Sequence, residues 1–286
     1  MTDPNQATRV VDTHQHLWMM SERAYDWIVP AYGPLYADFG PEDIADEADA
    51  VGISATVLVQ AADTYEDTFY MLSVAAREER VKGVVGWVPL DRPGEAEAAL
   101  DLYAPSPYVK GVRALTHTYE DPRWILRDDV AESISLLAPR GLALDYVATT
   151  AEHLELVPEL AGRHPDLKIV IDHMAKPDIA SGAWEPWATQ IRAAAALPNV
   201  FIKISGLNTA SGAEWTAADW QPYVDHVLEV FTADRTMLGS DWPVIILAGD
   251  LTRVWNAQLE VISGRTEAER EAVRWGTAAS VYGLEF

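Results

Sequence analysis

The stretch VVDTHQHLW, residues 10–18, places two histidines one residue apart at the end of an apolar run. Side chains at positions i and i+2 of a β-strand point to the same face of the sheet. If residues 10–16 form a strand, the imidazoles of His14 and His16 project side by side into one space. Imidazoles are common ligands of first-row metals. The stretch therefore predicts a strand whose two imidazoles either pack in the structure or form part of a metal site, and the rest of the chain has to decide between the two.

Eight β-branched runs recur along the chain, and each is followed by a segment of helical character. They occupy residues 9–16, 55–61, 82–89, 109–115, 142–148, 167–173, 200–206 and 236–241. Their near-continuous apolar character is typical of parallel strands covered by helices. Eight such units predict an α/β fold, a (β/α)8 TIM barrel, as a single domain over residues 1–286. A doubly wound open sheet is the alternative, but no glycine-rich phosphate-binding turn follows the first run.

Three inter-strand segments carry clear helix signals. PEDIADEADAVG, residues 41–52, begins with proline and ends with glycine, which predicts a helix between them. Thr150 is expected to cap a helix that Pro158 kinks. Thr266 and Glu269 have the spacing of a capping box at the start of the last helix.

The segment that follows the first strand, residues 18–40, differs from the rest of the chain. It is rich in aromatic residues and proline, and it is too long for an ordinary strand–helix turn. In a barrel it would lie over the mouth formed by the carboxyl ends of the strands. We therefore expect it to be a lid or a substrate wall.

Composition excludes several classes of function. The chain has 44 acidic and 21 basic residues, a net charge of −23, which disfavours a nucleic-acid partner. It has no cysteine, which excludes thiolate zinc sites and cysteine nucleophiles. It has no long apolar segment to cross a membrane, and its first residues lack the apolar region of a secretory signal, so a cytoplasmic location is expected.

Chemistry in a barrel is expected at the carboxyl ends of the strands, where side chains from different strands converge. Strand one ends in His14 and His16, strand six in His173, and strand eight in Asp241. Three imidazoles and a carboxylate at one rim suit both metal binding and acid–base chemistry. Of the other histidines, His117 is close enough to strand four to reach the mouth. The remaining three are expected on helix or loop surfaces, namely His153, His164 and His226.

The motifs VDTHQHLW, VLVQA, GVVGWVPL, KGVR, IVIDHMAKP, NVFIKISGL and LGSDWPV, in this order, resemble the amidohydrolase-related (amidohydrolase 2) metal-dependent hydrolases. The resemblance is strongest to the sugar-lactonase branch, with its fuconolactonases, rhamnonolactonases and pyrone-dicarboxylate lactonases. It covers nearly the whole chain and implies a distorted (β/α)8 barrel with its site at His14, His16, His173 and Asp241. Pro89 and Ala114 depart from the family pattern, which leaves the substrate open.

On this hypothesis one divalent metal is bound by His14, His16 and Asp241, with His173 as a further ligand or an acid–base partner. Zinc is expected, with manganese or a metal-free variant as alternatives. The metal would lower the pKa of water. Asp241 would take a proton from the water that attacks the lactone carbonyl and return it to the ring oxygen.

Substrate contacts are expected from residues near the strand ends. Arg113 would face a carboxylate or ring oxygen of the lactone, because its planar guanidinium can donate hydrogen bonds to such oxygens. Gln60 and Tyr146 could contact hydroxyl groups, and Trp18 or Trp242 could stack on a sugar face. His117 completes the expected set of substrate-binding residues.

The sequence leaves alternatives open. The substrate could be a sugar lactone or a muconolactone-type cyclic ester. The same histidine and aspartate set would also serve a metal-dependent decarboxylase of an aromatic or muconic acid. A non-catalytic barrel that binds a ligand is a further alternative. A homo-oligomer is possible, since the aromatic loops would suit a dimer interface.

Overall fold

Eight parallel strands form one sheet in which each strand pairs with its neighbours in chain order. The computed structural model describes residues 9–286. The strands are β1 (Val11–Gln15), β2 (Ala55–Val59), β3 (Val81–Gly86), β4 (Val109–Ala114), β5 (Ala143–Tyr146), β6 (Ile169–Ile171), β7 (Val200–Ile204) and β8 (Thr236–Leu238). Each predicted run overlaps one strand, and the (β/α)8 prediction is confirmed.

Helices follow the strands and cover the outside of the sheet. They are α1 (Glu42–Ala50), α2 (Tyr65–Ala75), α3 (Pro93–Tyr103), α4 (Asp128–Ser135), α5 (Ala151–Glu155), α6 (Val157–Arg163), α7 (Trp187–Ala195), α8 (Ala217–Phe231), α9 (Leu251–Val261), α10 (Glu267–Glu271) and α11 (Thr277–Tyr282). A π-helical turn, Ala272–Gly276, joins the last two. None of the helices between residues 9 and 286 has the length and apolar character needed to cross a bilayer.

The three helix signals in the sequence are confirmed. The first predicted helix is α1, which begins one residue after Pro41 and ends shortly before Gly52. Thr150 caps α5, and the helical segment around Pro158 is divided into α5 and α6. The capping box of Thr266 and Glu269 starts α10.

The sheet separates two hydrophobic cores. The larger one fills the space between the sheet and the helices. The smaller one lies inside the barrel, where apolar side chains of the strands meet the C-terminal helix α11. Its strand members include Val11, Val57, Val85, Val170 and Met237. The interior of the barrel is therefore packed with side chains, and open space for a ligand is left at its mouth.

The seam between the first and last strands closes at the mouth of the barrel. The amide of Asp241 donates to the carbonyl of His14, and the amide of His16 donates to the carbonyl of Trp242, both at 2.7 Å. Asp12 is fully buried and accepts from the amide and the hydroxyl of Ser240, at 2.7 and 2.6 Å. This seam holds the strand that carries the two histidines against the segment that carries Asp241.

Gly239 allows the two sides of the seam to approach closely. A Cβ atom at this position would lie 2.6 Å from the Cβ of His14, closer than real side chains pack. Any larger residue would displace His14 or open the seam.

Ser240→Ala should reduce the free energy of unfolding by about 2–3 kcal/mol, because it leaves Oδ2 of Asp12 without its hydroxyl donor and the buried amide of Trp242 without its acceptor. Urea unfolding measures the change. Ser135→Ala is the control, since the Ser135 hydroxyl is exposed and its loss should cost less than about 0.5 kcal/mol. Equal stability of the two variants would show that the seam does not depend on this contact.

Candidate functional site

The fold brings together the four residues that the sequence singled out at the strand ends. The Nε2 atoms of His14 and His16 lie 3.2 Å apart, and Oδ1 of Asp241 lies 3.4 Å from Nε2 of His16. Nε2 of His173 lies 3.8 Å from the same carboxylate oxygen. All four side chains are buried at the mouth of the barrel. Their assignment as metal ligands remains a proposal, which the donor chemistry below supports.

Hydrogen bonds and ion contacts hold the rings of the two β1 histidines in place. Nδ1 of His16 lies 2.7 Å from the carbonyl of Val59, which can only accept, so Nδ1 is protonated and Nε2 is the nitrogen that faces the site. Both ring nitrogens of His14 lie beside cations: Nε2 is 3.2 Å from a guanidinium nitrogen of Arg113, and Nδ1 is 3.1 Å from the ammonium of Lys203. Nδ1 of His14 also lies 3.2 Å from Oδ1 of Asp172.

Two imidazole nitrogens and a carboxylate oxygen face one another in this buried space. Burial, followed by the charge of Lys203, holds the pKa of His14 well below its usual range, so this imidazole is neutral at pH 7. One ligand atom from each of His14, His16 and Asp241 lies within 4.8 Å of the others, a spacing that a single ion can bridge. The donor set therefore fits a divalent metal.

A glycine directly after the neighbouring strand β7 lets the carboxylate of Asp241 lie close to the backbone. Gly206 follows β7 with φ of 59°, and a Cβ atom there would lie 2.6 Å from Oδ2 of Asp241. Burial alone would raise the pKa of Asp241, but His173, His16 and Lys176 outweigh burial and lower it to about 2. Oδ2 is buried and has no hydrogen-bond partner among residues 9–286. This oxygen is available to a substrate or a water.

His173 is held beside Asp241 by a hydroxyl on β7's carboxyl end. Its Nδ1 lies 2.8 Å from Oγ of Ser205, and its ring centroid lies 4.4 Å from that of His14. Burial is the main reason that the pKa of His173 lies well below its usual range, and the charge of Asp241 only partly offsets it. A neutral His173 can donate or accept one hydrogen bond at the site.

A buried network of charges lies directly beneath the histidines. The ammonium of Lys203 is fully buried and contacts Asp145 at 2.5 Å and Asp172 at 3.1 Å. Arg113 pairs with the other oxygen of Asp172 at 3.1 Å. The hydroxyl of Tyr282, on α11, donates to Asp145 at 2.8 Å. The network therefore links the C-terminal helix to His14, which lies 3.1 Å from the ammonium of Lys203.

The two carboxylates of this network differ in environment. Burial would raise the pKa of Asp172, but the charges of Lys203 and Arg113 outweigh it and lower the pKa below the usual value. Burial raises the pKa of Asp145, and Lys203 opposes that rise only in part. Asp172 is therefore the firmly ionised carboxylate that lies beside Nδ1 of His14.

The cavity above this cluster is lined on one side by charged and polar groups and on the other by apolar walls. Its described lining consists of His16, Trp27, Ala61, Arg113, Leu115, His117, Val147, Thr149, His173, Lys176 and Val244. The segment 18–40 contributes Trp27, whose indole donates to the carbonyl of Ala61 at 2.7 Å. The lid or wall expected from this segment thus has a residue in the cavity.

The structure separates the expected substrate contacts into two groups. Arg113 and His117 line the cavity. The guanidinium of Arg113 is already bonded to Asp172 and to the carbonyl of Gln60, so its contact with a substrate carboxylate stays a prediction that the geometry does not favour.

The other four expected contacts point elsewhere in the described structure. Gln60 is fully buried and donates to Asp63 at 3.0 Å, and the Tyr146 hydroxyl donates to the carbonyl of His153 at 3.0 Å. Trp18 and Trp242 are buried and pack edge-on against Phe39, behind the cavity wall. Their substrate-binding roles stay predictions. Among the tryptophans of the described chain, Trp27 is the one that lines this cavity.

Two of the surface histidines were wrongly predicted. His153 and His226 are each 6% exposed. His153 lies in α5 with its amide bonded to Thr150, and His226 lies in α8 with Nε2 3.0 Å from the carbonyl of Ala188. Each buried ring has a hydrogen-bonding partner, which for Nδ1 of His153 is the hydroxyl of Thr150 at 3.2 Å. The pattern of polar residues in the sequence does not reveal such partners. His164 is half-buried.

Sequence reasoning missed Asp12, Asp172, Lys176 and Trp27. Asp172 directly precedes His173, and Lys176 lies three residues after it, so the motif IVIDHMAKP contained both. The signal was their position at a strand end next to a candidate ligand. Asp12 precedes His14 by two residues on the same strand.

Lys203→Met should lower the free energy of unfolding by about 3–5 kcal/mol, because it leaves two buried carboxylates without their shared cation. Thermal and urea unfolding measure the loss. Lys110→Met is the matched control, since Lys110 is also a strand lysine but makes only an exposed bond to the carbonyl of Gly283. A loss below about 1 kcal/mol for Lys203→Met would contradict the pairing described above.

This chain is similar to known proteins over most of its length. The amidohydrolase family model matches residues 11–284. An L-fucono-1,5-lactonase of Burkholderia ambifaria is 40% identical over 84% of this chain and 82% of its own length. A second L-fucono-1,5-lactonase, from Burkholderia multivorans, is 32% identical over 96% of both chains. A solved amidohydrolase structure from Burkholderia multivorans with bound zinc is 30% identical, with a TM-score of 0.88 over 97% of this chain and all of that one. This chain belongs to the amidohydrolase family.

Proposed function

We propose that this protein is a lactone hydrolase that opens the ring of an uncharged, hydroxylated lactone of the sugar-acid type. The observation that carries the proposal is the buried set of His14, His16 and Asp241, whose acceptor atoms face one another at the mouth of the barrel. Similarity to two L-fucono-1,5-lactonases supports lactone hydrolysis as the reaction. A lactone of L-fuconic acid is therefore a first candidate substrate.

The metal that suits this site best is zinc, with manganese as the alternative. A zinc-bound relative supports zinc, and nitrogen and carboxylate ligands are compatible with either ion. A divalent ion held by His14, His16 and Asp241 supplies Lewis acidity, which lowers the pKa of water and polarises a carbonyl. His173 is a further ligand or an acid–base partner beside the same carboxylate.

Asp241 carries the proton transfers in this proposal. Its buried Oδ2 accepts a proton from the water that attacks the lactone carbonyl carbon. When the bond between the carbonyl carbon and the ring oxygen breaks, the same oxygen returns that proton to the departing alkoxide. The product is the ring-opened hydroxy acid, and no further proton donor is needed.

The charges around the cavity favour an uncharged lactone. Among residues 9–286, each cation near the cavity has a carboxylate partner: Arg113 pairs with Asp172, Lys203 with Asp145 and Asp172, and Lys176 lies 3.9 Å from Asp241. A substrate carboxylate would have to compete with a carboxylate partner for Arg113 or Lys203, and beside Lys176 it would lie against the negative charge of Asp241, so either position costs free energy. The same argument disfavours a decarboxylase, which must hold the carboxylate of its substrate.

The test is a pH-indicator assay on a panel of lactones with protein of known metal content. We expect turnover of neutral sugar lactones, with kcat/KM at least about 10-fold above that for anionic lactones such as muconolactone, a difference of about 1.4 kcal/mol in transition-state binding. Asp241→Asn should lower kcat by at least about 100-fold, because the amide cannot accept the proton. Asp234 is an exposed aspartate in the turn directly before β8, and Asp234→Asn should retain wild-type kcat.

The alternatives predict other results with the same protein. Metal without lactone turnover, together with CO2 release from an aromatic or muconic acid, would establish the decarboxylase. A preference for anionic lactones would overturn the charge argument and leave lactone hydrolysis intact. Full activity of Asp241→Asn would show that another group accepts the proton.

A further inference from the structure

The turn that follows β6 adopts an uncommon backbone conformation. His173, Met174, Ala175 and Lys176 all have positive φ, between 51° and 57°. A left-handed conformation costs about 1–2 kcal/mol for each residue other than glycine. Such strain persists only where the surrounding structure enforces it, and it is concentrated at functional sites. The left-handed backbone of this turn therefore indicates a functional role for its residues.

Specific contacts hold the left-handed turn in place. The indole of Trp187 donates to the carbonyl of Met174 at 2.7 Å, and the amide of Lys176 donates to the carbonyl of His173 at 2.8 Å. The side chains of His173, Met174 and Ala175 are buried. Lys176 is the member of the turn whose side chain remains partly exposed, and it lines the cavity together with His173.

The ammonium of Lys176 has hydrogen-bonding capacity that the protein does not fill. It donates to Oγ1 of Thr209 at 3.3 Å, and the Thr209 hydroxyl itself donates to the carbonyl of Gly206. Its other near contact is Oδ2 of Asp241 at 3.9 Å, which is an ion-pair distance and too long for a hydrogen bond. Oδ2 of Asp241 is the oxygen that has no hydrogen-bond partner in the described structure.

The gap between these two atoms is the size of one bridging oxygen. An oxygen about 2.8 Å from both Nζ and Oδ2 spans a separation of 3.9 Å with an angle close to 90°. During ring opening, the departing ring oxygen must come within about 2.6–3.2 Å of the group that protonates it. A ring oxygen that receives its proton from Asp241 is therefore within reach of Lys176.

We propose that Lys176 is a catalytic residue that donates a hydrogen bond to the departing ring oxygen of the lactone. This inference rests on the proposed function. Negative charge develops on that oxygen as the bond to the carbonyl carbon breaks, and the ammonium stabilises the charge until Asp241 delivers its proton. Because the contact strengthens in the transition state, it acts on kcat more than on KM. The left-handed turn serves to place His173 and Lys176 on either side of Asp241.

The experiment compares Lys176→Met with Lys82→Met. Methionine keeps the length and apolar stem of lysine but removes the donor, and Lys82 lies at the start of β3, at the opposite end of the barrel. We expect Lys176→Met to lower kcat about 100-fold, the lower end of the loss for one oxyanion donor, with KM changed less than threefold. Lys82→Met should retain wild-type kcat. Unfolding midpoint and zinc content should be the same in wild type and both variants.

A second variant separates a chemical role from a structural one. Lys176→Ala should regain part of its lost kcat when ethylammonium chloride is added, while sodium chloride at the same ionic strength should have no effect. A kcat of Lys176→Met within twofold of wild type, or a loss that appears only as a higher KM, would overturn the proposal. Loss of zinc from Lys176→Met would also overturn it, since the residue would then act through the metal site.

A binding measurement tests the contact of Lys176 separately from lactone hydrolysis. If wild type opens no lactone, titration calorimetry with 1,5-anhydro-D-glucitol, an uncharged hydroxylated ring ether, tests the contact directly, because its ring oxygen can accept the hydrogen bond of Lys176. Binding that is at least about 10-fold weaker in Lys176→Met than in Lys82→Met supports a ligand-facing ammonium. Equal binding, or no binding to either variant, overturns it.

Discussion

The mouth of this barrel depends on the pairing of charges that have no access to water. Lys203, Asp172 and Arg113 lie beneath the histidines with almost no exposed surface, and burial of any one of them alone would be strongly unfavourable. Lys203 and Asp172 both lie against Nδ1 of His14, at 3.1 and 3.2 Å, and Arg113 lies 3.2 Å from its Nε2. The ionic network thus fixes the position of the imidazole that we propose as a metal ligand.

Two glycines let the backbone lie unusually close to side chains of the site. Gly206 and Gly239 bring β7 and β8 against Asp241 and His14, where a methyl group would collide. Asp241 itself has φ of 66°, and the turn from His173 to Lys176 is left-handed throughout. The barrel interior supplies a rigid base for these strained residues, since apolar strand side chains and α11 fill it. Stability in the packed part of the fold supports strain at the mouth.

The sequence predicted the strands and the principal site residues for a common physical reason. Parallel strands are buried and nearly continuous in apolar character, and the polar residues that interrupt them at their carboxyl ends are conspicuous, as with His14, His16, His173 and Asp241. Residues whose role depends on the tertiary arrangement were harder to assign. Arg113 looked free to bind substrate, yet Asp172 occupies it. Trp18 and Trp27 have the same aromatic character in sequence, but only chain folding decides which one lines the cavity.

The most direct test of the site is the position of the metal. Crystals of protein loaded with zinc, measured with anomalous diffraction at the zinc absorption edge, would locate the ion independently of activity. We expect one zinc at the barrel mouth, within about 2.0–2.2 Å of Nε2 of His14, Nε2 of His16 and a carboxylate oxygen of Asp241. An ion bound instead by His14, Asp172 and His173, the other group among the described residues that could hold one, would contradict both the proposed ligand set and the role of Asp172 as a charge partner.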